Sequence, residues 1–195
     1  TERFDDAEML ALRLNKEFAG SSDPVADEIL AQGLVAKART LLEQDELDLA
    51  QIAFEQALNK QNNNPWIRLE LAQLLVRRGR TDRAQLLMEE MAEAMPDSST
   101  ALHAQAEFAY LLERYGDALA FLEKIAVSER TPQMSATQNR IWLRLQVQRA
   151  VRFAQNNDFA QARRTLGEAE NVAGSEPDMA GSLARGWIEL GEDER

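Results

Sequence analysis

Apolar and polar positions repeat along this chain with a period of 34 residues. Two small residues and one bulky residue recur at fixed places in each period: Ala38, Ala72 and Ala106; Ala50, Ala84 and Ala118; Phe54, Met88 and Leu122. Between them, apolar residues follow one another three or four places apart, the spacing of one face of an α-helix. The pattern therefore predicts successive pairs of antiparallel helices, in which the small residues allow a close approach.

Each period corresponds to one helix pair, and the periods form one continuous array. The predicted units are a partial unit, three regular units, one irregular long unit and one truncated unit: residues 1–30, 31–64, 65–98, 99–125, 126–172 and 173–195. The partial unit contains an amphipathic helix at residues 2–18. Because the last unit stops within a helix pair, we expect the chain to be a piece of a longer array, whose own ends would carry polar caps.

The period breaks once, between the third and fourth full units, where equivalent positions lie 44 instead of 34 residues apart. The register then returns with Ala150, Ala162 and Leu166. The additional residues precede a long helix, which we predict to begin at Pro132 or Ser135 and to end at Gln155. Such an insertion either changes the curvature of the array, provides a hinge, or is only a tolerated loop.

A 34-residue helix pair with small residues at two fixed places is typical of tetratricopeptide repeats. The predicted fold is all-α: a superhelical solenoid of about ten helices, with one irregular repeat containing a long first helix. In such arrays the first helices line a concave face, which is the usual contact surface. The register places eight candidate binding residues there: Arg39, Trp66, Leu69, Gln73, His103, Glu107, Arg144 and Val147.

The composition favours a folded protein and argues against two classes of partner. Hydrophobic residues make up 45% of the chain, and its formal net charge is −11. Surfaces that bind phosphates need clustered lysine and arginine, so we expect no nucleic acid and no anionic membrane as partner. Arginines do cluster at residues 77–83, where we expect them to complement the dipole at a helix end. No apolar run approaches the ~20 residues of a membrane span, so we expect no membrane insertion of this fragment.

Candidate catalytic and metal sites are weakly supported. His103 is the only histidine and cysteine is absent, so a zinc site or a Ser-His-Asp arrangement would rest on one side chain. We expect His103 at the surface. The acidic residues at 45–48 and 89–93 are expected to form solvated faces, not the carboxylate pair of a glycosidase. The sequence therefore predicts no enzyme, no metal and no cofactor.

The three tryptophans have different expected roles. Trp187 falls at a core position with Leu183 and Ala184, and all three are expected to point inward. Trp142, near the start of the long helix, suits either packing or binding. Trp66 lies where the concave face begins, so it could cover the preceding repeat, stack on a sugar ring or anchor a peptide.

Three stretches carry a more specific resemblance: Asn-Asn-Pro-Trp-Ile-Arg-Leu-Glu-Leu-Ala at 63–72, Gly-Arg-Thr-Asp-Arg-Ala at 79–84 and Glu-Arg-Thr-Pro-Gln-Met at 129–134. Together with the break in the period, they resemble the periplasmic repeat region of the bacterial cellulose synthase C proteins, the family of cellulose export proteins. The resemblance covers most of the chain from about Ala31 onward.

The resemblance implies a non-catalytic scaffold in the periplasm, with a signal peptide outside this fragment. Such an array would lie between an inner-membrane synthase and an outer-membrane pore. There it would contact other subunits of the polysaccharide synthase and export complex, and would assist assembly or guide the glucan. Related repeat regions serve other exopolysaccharides, so the resemblance does not single out cellulose.

Two other classes of function remain open from the residues. One is a general protein-interaction adaptor, such as a co-chaperone. Adaptors of this kind that bind C-terminal carboxylates place lysine and asparagine on the first helices, whereas this chain has Val35, Arg39, Leu69 and Gln73. The other is a glycan hydrolase, which the lack of a credible acid/base pair argues against.

Overall fold

The computed structural model describes residues 24–173 and 177–191, without the side chains of residues 173, 177–179 and 182. Within these residues it contains nine α-helices: α1 (Pro24–Glu43), α2 (Leu47–Lys60), α3 (Pro65–Arg77), α4 (Thr81–Ala94), α5 (Ser99–Leu111), α6 (Tyr115–Glu123), α7 (Pro132–Gln155), α8 (Phe159–Ala173) and α9 (Pro177–Glu189). A 3₁₀ turn, Val127–Glu129, lies between α6 and α7. The all-α fold and the long helix are confirmed. The helix predicted at residues 2–18 lies outside the described residues.

The recurring residues of the sequence pattern lie in the core, as their period predicts. The alanines at both small positions are fully buried, at 0% exposure: Ala38, Ala50, Ala72, Ala84, Ala106, Ala118, Ala150 and Ala162. The bulky residues at the third position are at most 2% exposed: Phe54, Met88, Leu122 and Leu166. The predicted register of the helices is therefore confirmed on both sides of the break.

The turns within the helix pairs share one backbone conformation. A residue with positive φ follows each first helix: Asp45 (62°), Gly79 (72°), Glu113 (57°), Asn157 (61°) and Gly191 (77°). In four of these turns, the backbone N–H of the residue after the positive-φ position donates to the carbonyl five residues before it, with N···O distances of 2.8–2.9 Å. The four donor residues are Glu46, Arg80, Arg114 and Asp158. This is the bond of a Schellman motif, which ends a helix and favours glycine at the positive-φ position. Only two of the five turns have that glycine.

The chain divides into two compact units, residues 1–104 and 105–195, and the division falls inside α5. In unit 1, α1 packs against α2, α2 against α3, and α3 against α4. One of its core clusters joins Ala31, Ala57 and Ile67, with Leu34, Val35 and Leu58 packed against it. Successive helix pairs in unit 1 thus share their apolar contacts.

Unit 2 contains the long helix, around which its other described helices pack. In this unit α6 and α8 pack against α7, and α9 packs against both α7 and α8. One core cluster of unit 2 consists of Leu143, Ala150, Ala162, Leu166, Ala169, Leu183 and Trp187. Trp142 is half-buried against this cluster, so packing accounts for it.

The prediction for the last first helix, α9, is partly wrong. Leu183 and Trp187 are buried as predicted, at 6% and 3% exposure, but Ala184 is exposed. Ala184 occupies the position at which Ala72 and Ala150 are fully buried. In the other repeats, this position packs against the second helix of the same pair. The described residues contain no such second helix after α9, because they end at residue 191.

The residues of the insertion make specific contacts between α6 and α7. Arg130 donates from Nε to the Ile125 carbonyl at 3.2 Å and from Nη2 to the Leu122 carbonyl at 3.3 Å, and so satisfies groups at the end of α6. Thr131 Oγ1 then accepts a hydrogen bond from Met134 N at 3.2 Å, which caps the start of α7. The additional residues therefore form an ordered connection with a cap at each side.

Candidate binding face on the first helices

The start of α3 places Trp66 on the face formed by the first helices of unit 1. Asn64 Oδ1 accepts hydrogen bonds from the backbone N–H groups of Trp66 and Ile67, at 3.0 and 3.3 Å, and Pro65 occupies the first helical position. Trp66 is 38% exposed, and its ring packs at right angles to the His103 ring, with 5.1 Å between centroids. The cap and the ring contact hold one orientation of a large, partly open aromatic side chain.

An arginine–carboxylate pair joins successive first helices beside Trp66. Arg39 on α1 donates from Nε and Nη2 to the two carboxylate oxygens of Glu70 on α3, at 2.8 and 2.6 Å. The hydrogen bond to Glu70 raises the pKa of the Arg39 guanidinium, against a smaller lowering by partial burial. Glu70 and Gln73 lie four and seven residues after Trp66, so all three share one face of α3. The sequence analysis named Arg39, Trp66 and Gln73 as candidate binding residues and did not name Glu70, which pairs with Arg39.

Two predicted binding residues of unit 1 are not displayed. Leu69 is 5% exposed and His103 is 3% exposed, so the expectation that His103 lies at the surface is wrong, and Leu69 offers almost no area to a partner. The ring of Trp66 accounts for part of the burial of His103. The helical register tells which side of its own helix a residue occupies, whereas neighbouring helices decide whether that side is open.

In unit 2, Glu107 on α5 is held by two side chains of α7. Nη2 of Arg140 donates to both carboxylate oxygens, at 2.8 and 2.9 Å, and Thr137 Oγ1 donates to Oε1 at 3.0 Å. The guanidinium carbon of Arg140 also lies 5.0 Å from the centroid of the Tyr110 ring, a cation–π contact. Glu107 was named as a candidate binding residue from the sequence. Its partners Arg140 and Thr137, and the contact of Arg140 with Tyr110, were not predicted.

Arg144 and Val147 have different surroundings. Arg144 is half-buried and close enough to Tyr115 to oppose the rise of that phenol's pKa, which comes first from burial and then from the charge of Glu113. Val147 packs against the unit 2 core, with its Cγ1 3.4 Å from the place that a Cβ on Gly186 would take. Val147 contributes to packing, which differs from the expected display.

The arginine cluster at residues 77–83 pairs with the acidic turn of the preceding repeat. Arg77 Nη2 lies 2.6 Å from Asp45 Oδ1, and Arg78 donates to both Asp48 and Gln51. Further along, Arg83 lies 3.5 Å from Glu55: the distance joins Nη2 and Oε1. The dipole at the end of α3 explains the position of Arg77 but not these pairs. These pairs could have been predicted from opposite charges that lie about one period apart in the sequence, because equivalent positions of adjacent repeats are neighbours in the stacked array.

In residues 24–173 and 177–191, no three His, Asp or Glu side chains converge as candidate metal ligands. Over the same residues, no helix combines the length and apolar character that crossing a membrane requires.

Comparison with known proteins agrees with the repeat geometry. Residues 30–107 match the family model described as tetratricopeptide repeat. The chain has the fold of tetratricopeptide repeats. The crystal structure of a thermophilic tetratricopeptide-repeat protein of Thermus thermophilus is similar with a TM-score of 0.50 and 18% identity, over 83% of this chain and 84% of that one. At this identity the likeness concerns the fold alone.

Two curated relatives confirm the resemblance stated from the sequence. The chain is 29% identical over 146 residues to cellulose synthase operon protein C of Pseudomonas fluorescens strain SBW25, which is 75% of this chain and 11% of the relative. It is 28% identical over 163 residues to the protein of the same name from Xanthomonas axonopodis pv. citri strain 306, 82% of this chain and 11% of the relative. The chain thus spans about a tenth of the length of either relative.

Proposed function

We propose that the chain is a non-catalytic scaffold segment of a complex that synthesises and exports cellulose, and that it lies in the periplasm. The similarity to two proteins named cellulose synthase operon protein C, over 146 and 163 residues, carries this proposal. Because the chain spans 11% of each relative, the proposal concerns the repeat array alone.

The first-helix face of unit 1 is the proposed contact surface for other subunits of that complex. Tetratricopeptide repeats mediate protein contacts through extended faces of stacked units. Arg39 and Gln73 are exposed on this face. Trp66, at the start of α3, is partly exposed on the same face. Tryptophan and arginine are the side chains that most often anchor protein interfaces.

The arrangement of the face favours binding over catalysis. Glycosidases place two carboxyl groups across a cleft, one of them as a protonated acid. In unit 1, Glu70 accepts two hydrogen bonds from Arg39 and lies on a helix surface. Such a carboxylate is suited to fixing neighbouring side chains.

Binding to the synthase and export proteins of the source organism tests the scaffold proposal. The full chain, Gln73→Arg and Gln56→Arg are compared by biolayer interferometry against each purified protein of the complex. Both glutamines are exposed in unit 1, but Gln73 is on the first helix α3 and Gln56 on the second helix α2. We expect Gln73→Arg to weaken binding about tenfold or more and Gln56→Arg to change it little.

Three results would contradict parts of this proposal. Equal effects of the two substitutions would move the contact away from the first helices. No binding to any protein of the complex would contradict the scaffold role and favour a general adaptor. Release of shorter sugars from cello-oligosaccharides would contradict the non-catalytic assignment, and recovery of the chain in the cytoplasmic fraction would contradict the periplasmic one.

A further inference from the structure

We infer that Trp66, Glu70 and Gln73, together with Arg39, form a subsite for a neutral β-linked glucan chain on unit 1. The inference rests on the proposed function, since the relatives named for cellulose synthesis indicate which saccharide is present. It adds a site of direct polysaccharide contact to an array otherwise proposed to hold proteins.

The four side chains combine one partly exposed aromatic ring with hydrogen-bonding groups. Trp66, Glu70 and Gln73 follow one face of α3 at helical spacing, and Arg39 reaches Glu70 from α1. The side chain of Arg39 is 62% exposed and that of Glu70 is 22% exposed, while Trp66 is 38% exposed. The pair with Glu70 uses Nε and Nη2 of Arg39. A guanidinium has five N–H groups, so it retains donor capacity toward the open side.

This combination matches the two surfaces of a sugar ring. The C–H groups on the flat side of a β-linked glucose ring are apolar and weakly positive, and they suit the electron-rich face of an indole. The hydroxyl groups around the ring both donate and accept hydrogen bonds. Arg39 supplies donors, Glu70 supplies acceptors, and the Gln73 amide supplies both. Polar groups placed beside an apolar surface are what fix the orientation of a bound ligand.

The charge of the site favours a neutral polymer. Arg39 and Glu70 neutralise one another through two short hydrogen bonds, and the whole chain carries a net charge of −11, which repels acidic saccharides. The Asn64 cap fixes the backbone at Trp66 and the contact with His103 fixes its ring, so binding needs little reordering.

Unit 2 contains a related cluster in which the aromatic ring is already covered. There Arg140 pairs with Glu107 and also lies over the ring of Tyr110, at 5.0 Å from its centroid. The arginine thus occupies the position that a sugar would need. We therefore assign the glucan contact to unit 1.

Calorimetric titration of the full chain with cellohexaose tests the subsite. We expect the wild-type chain to bind this neutral oligosaccharide, and an alginate hexamer, which is anionic, to bind more weakly. Trp66→Ala should weaken cellohexaose binding about tenfold or more, because the aromatic contact is lost. Phe159→Ala is the matched control: Phe159 is 45% exposed at the start of the second helix α8, and its removal should leave affinity within about twofold.

A second measurement follows binding by the wild-type chain, so it does not require Trp66→Ala to fold. The indole N–H signal of Trp66, assigned in the NMR spectrum with Trp66→Phe, should shift on addition of cellohexaose, while that of the buried Trp187 stays in place. Gln73→Ala should weaken binding with an unchanged thermal midpoint, because Gln73 is exposed.

Several outcomes would overturn the subsite. They are no binding of cellohexaose by the wild-type chain at millimolar concentration, equal losses for Trp66→Ala and Phe159→Ala, or a Trp66 substitution that impairs only the binding of protein subunits. Subunit binding without cellohexaose binding would overturn this inference and leave the scaffold proposal standing. Loss of both would contradict both.

Discussion

Units 1 and 2 bury the same repeat positions but connect their helix pairs differently. In unit 1 the pairs follow the 34-residue period strictly, and charged side chains join them: Asp45 and Arg77 at the turns, Arg39 and Glu70 on the first helices. In unit 2 the period is broken, Arg130 ties the end of α6 to the insertion, and large apolar residues such as Trp187 fill the core around α7. Unit 1 thus has charged pairs both at its turns and on its first helices, whereas unit 2 combines the Arg140–Glu107 pair of its first helices with a specific cap and with apolar packing.

The two arginine–carboxylate clusters of the first helices differ in which helix supplies the arginine and in whether the neighbouring aromatic ring is exposed. In unit 1 the arginine comes from the earlier helix, and the neighbouring Trp66 stays partly open. In unit 2 the arginine comes from the later helix and covers Tyr110. Similar residue types thus form an open surface in one unit and a closed contact in the other.

Overpacking of the first small position should give the largest effect and should treat the two units alike. Ala72 in unit 1 and Ala150 in unit 2 are both 0% exposed, so Ala72→Trp and Ala150→Trp should each lower the free energy of unfolding by more than about 3 kcal/mol. Chemical denaturation followed by circular dichroism measures this loss.

Two controls sharpen this prediction. Ala184 occupies the same repeat position but is exposed, so Ala184→Trp should change stability by less than about 0.5 kcal/mol. Gln73→Ala, next to Ala72 but exposed, should leave the thermal midpoint nearly unchanged. Equal losses for Ala72→Trp and Gln73→Ala would mean that the assigned helix register is wrong.

Removal of one arginine should test the electrostatic connection of unit 1. The side chain of Arg78 is 17% exposed and bonds to Asp48 and Gln51 of the preceding repeat. Arg78→Ala should therefore lower the free energy of unfolding by about 1–2 kcal/mol. Arg80→Ala, at an exposed arginine two positions further on, should change it by less than about 0.5 kcal/mol.

The salt dependence of this pair of variants separates charge from packing. Because salt screens exposed ion pairs, the difference between the wild-type chain and Arg78→Ala should shrink at about 1 M NaCl. A difference that is independent of salt would assign the role of Arg78 to packing of its aliphatic stem.

Substitutions at the positive-φ turns should have the smallest effects and opposite signs in the two units. Gly79 has φ +72° with open space around the place of a Cβ, so Gly79→Ala should cost about 1 kcal/mol from backbone strain alone. Glu113 in unit 2 has φ +57°, so Glu113→Gly should stabilise by about 0.5–1 kcal/mol.

Glu113→Ala removes the charge but keeps the strain, and it should leave stability within about 0.5 kcal/mol of the wild-type value. A gain from Glu113→Ala equal to that from Glu113→Gly would show that charge and not backbone conformation is responsible. Thermal unfolding monitored by circular dichroism is sufficient for all three variants.

Much of the fold could be predicted because its determinants are local and periodic. Buried alanines such as Ala38 and Ala162, the turn at Gly79 and the helix ending at Gln155 follow from spacing, small residues and turn-forming residues. The likeness to cellulose synthase operon protein C was also recognisable from short strings and from the break in the period. The exposure of Ala184 could not be predicted from the sequence, because it depends on whether another helix covers this residue.

The candidate face was predicted only in part. Arg39, Trp66 and Gln73 are exposed and stay candidate binding residues, whereas Glu70 was not predicted and His103 is buried, not at the surface. The spacing within α3 places Glu70 on the same face as Trp66, but its pair with Arg39 depends on the neighbouring helix α1. The burial of His103 likewise depends on the ring of Trp66, 37 residues earlier in the chain.

The sequence by itself determined the helix pairs, their register, the position of the irregular repeat and the resemblance to a known kind of repeat protein. These features depend on intervals along one chain, and helical geometry translates intervals into faces directly. Only the tertiary structure decided which side chains of those faces stay open and which are paired: Trp66 open beside Arg39 and Glu70, and Tyr110 covered by Arg140. Exposure and pairing are properties of neighbouring helices, and the distances between helices are set by packing, not by position in the chain.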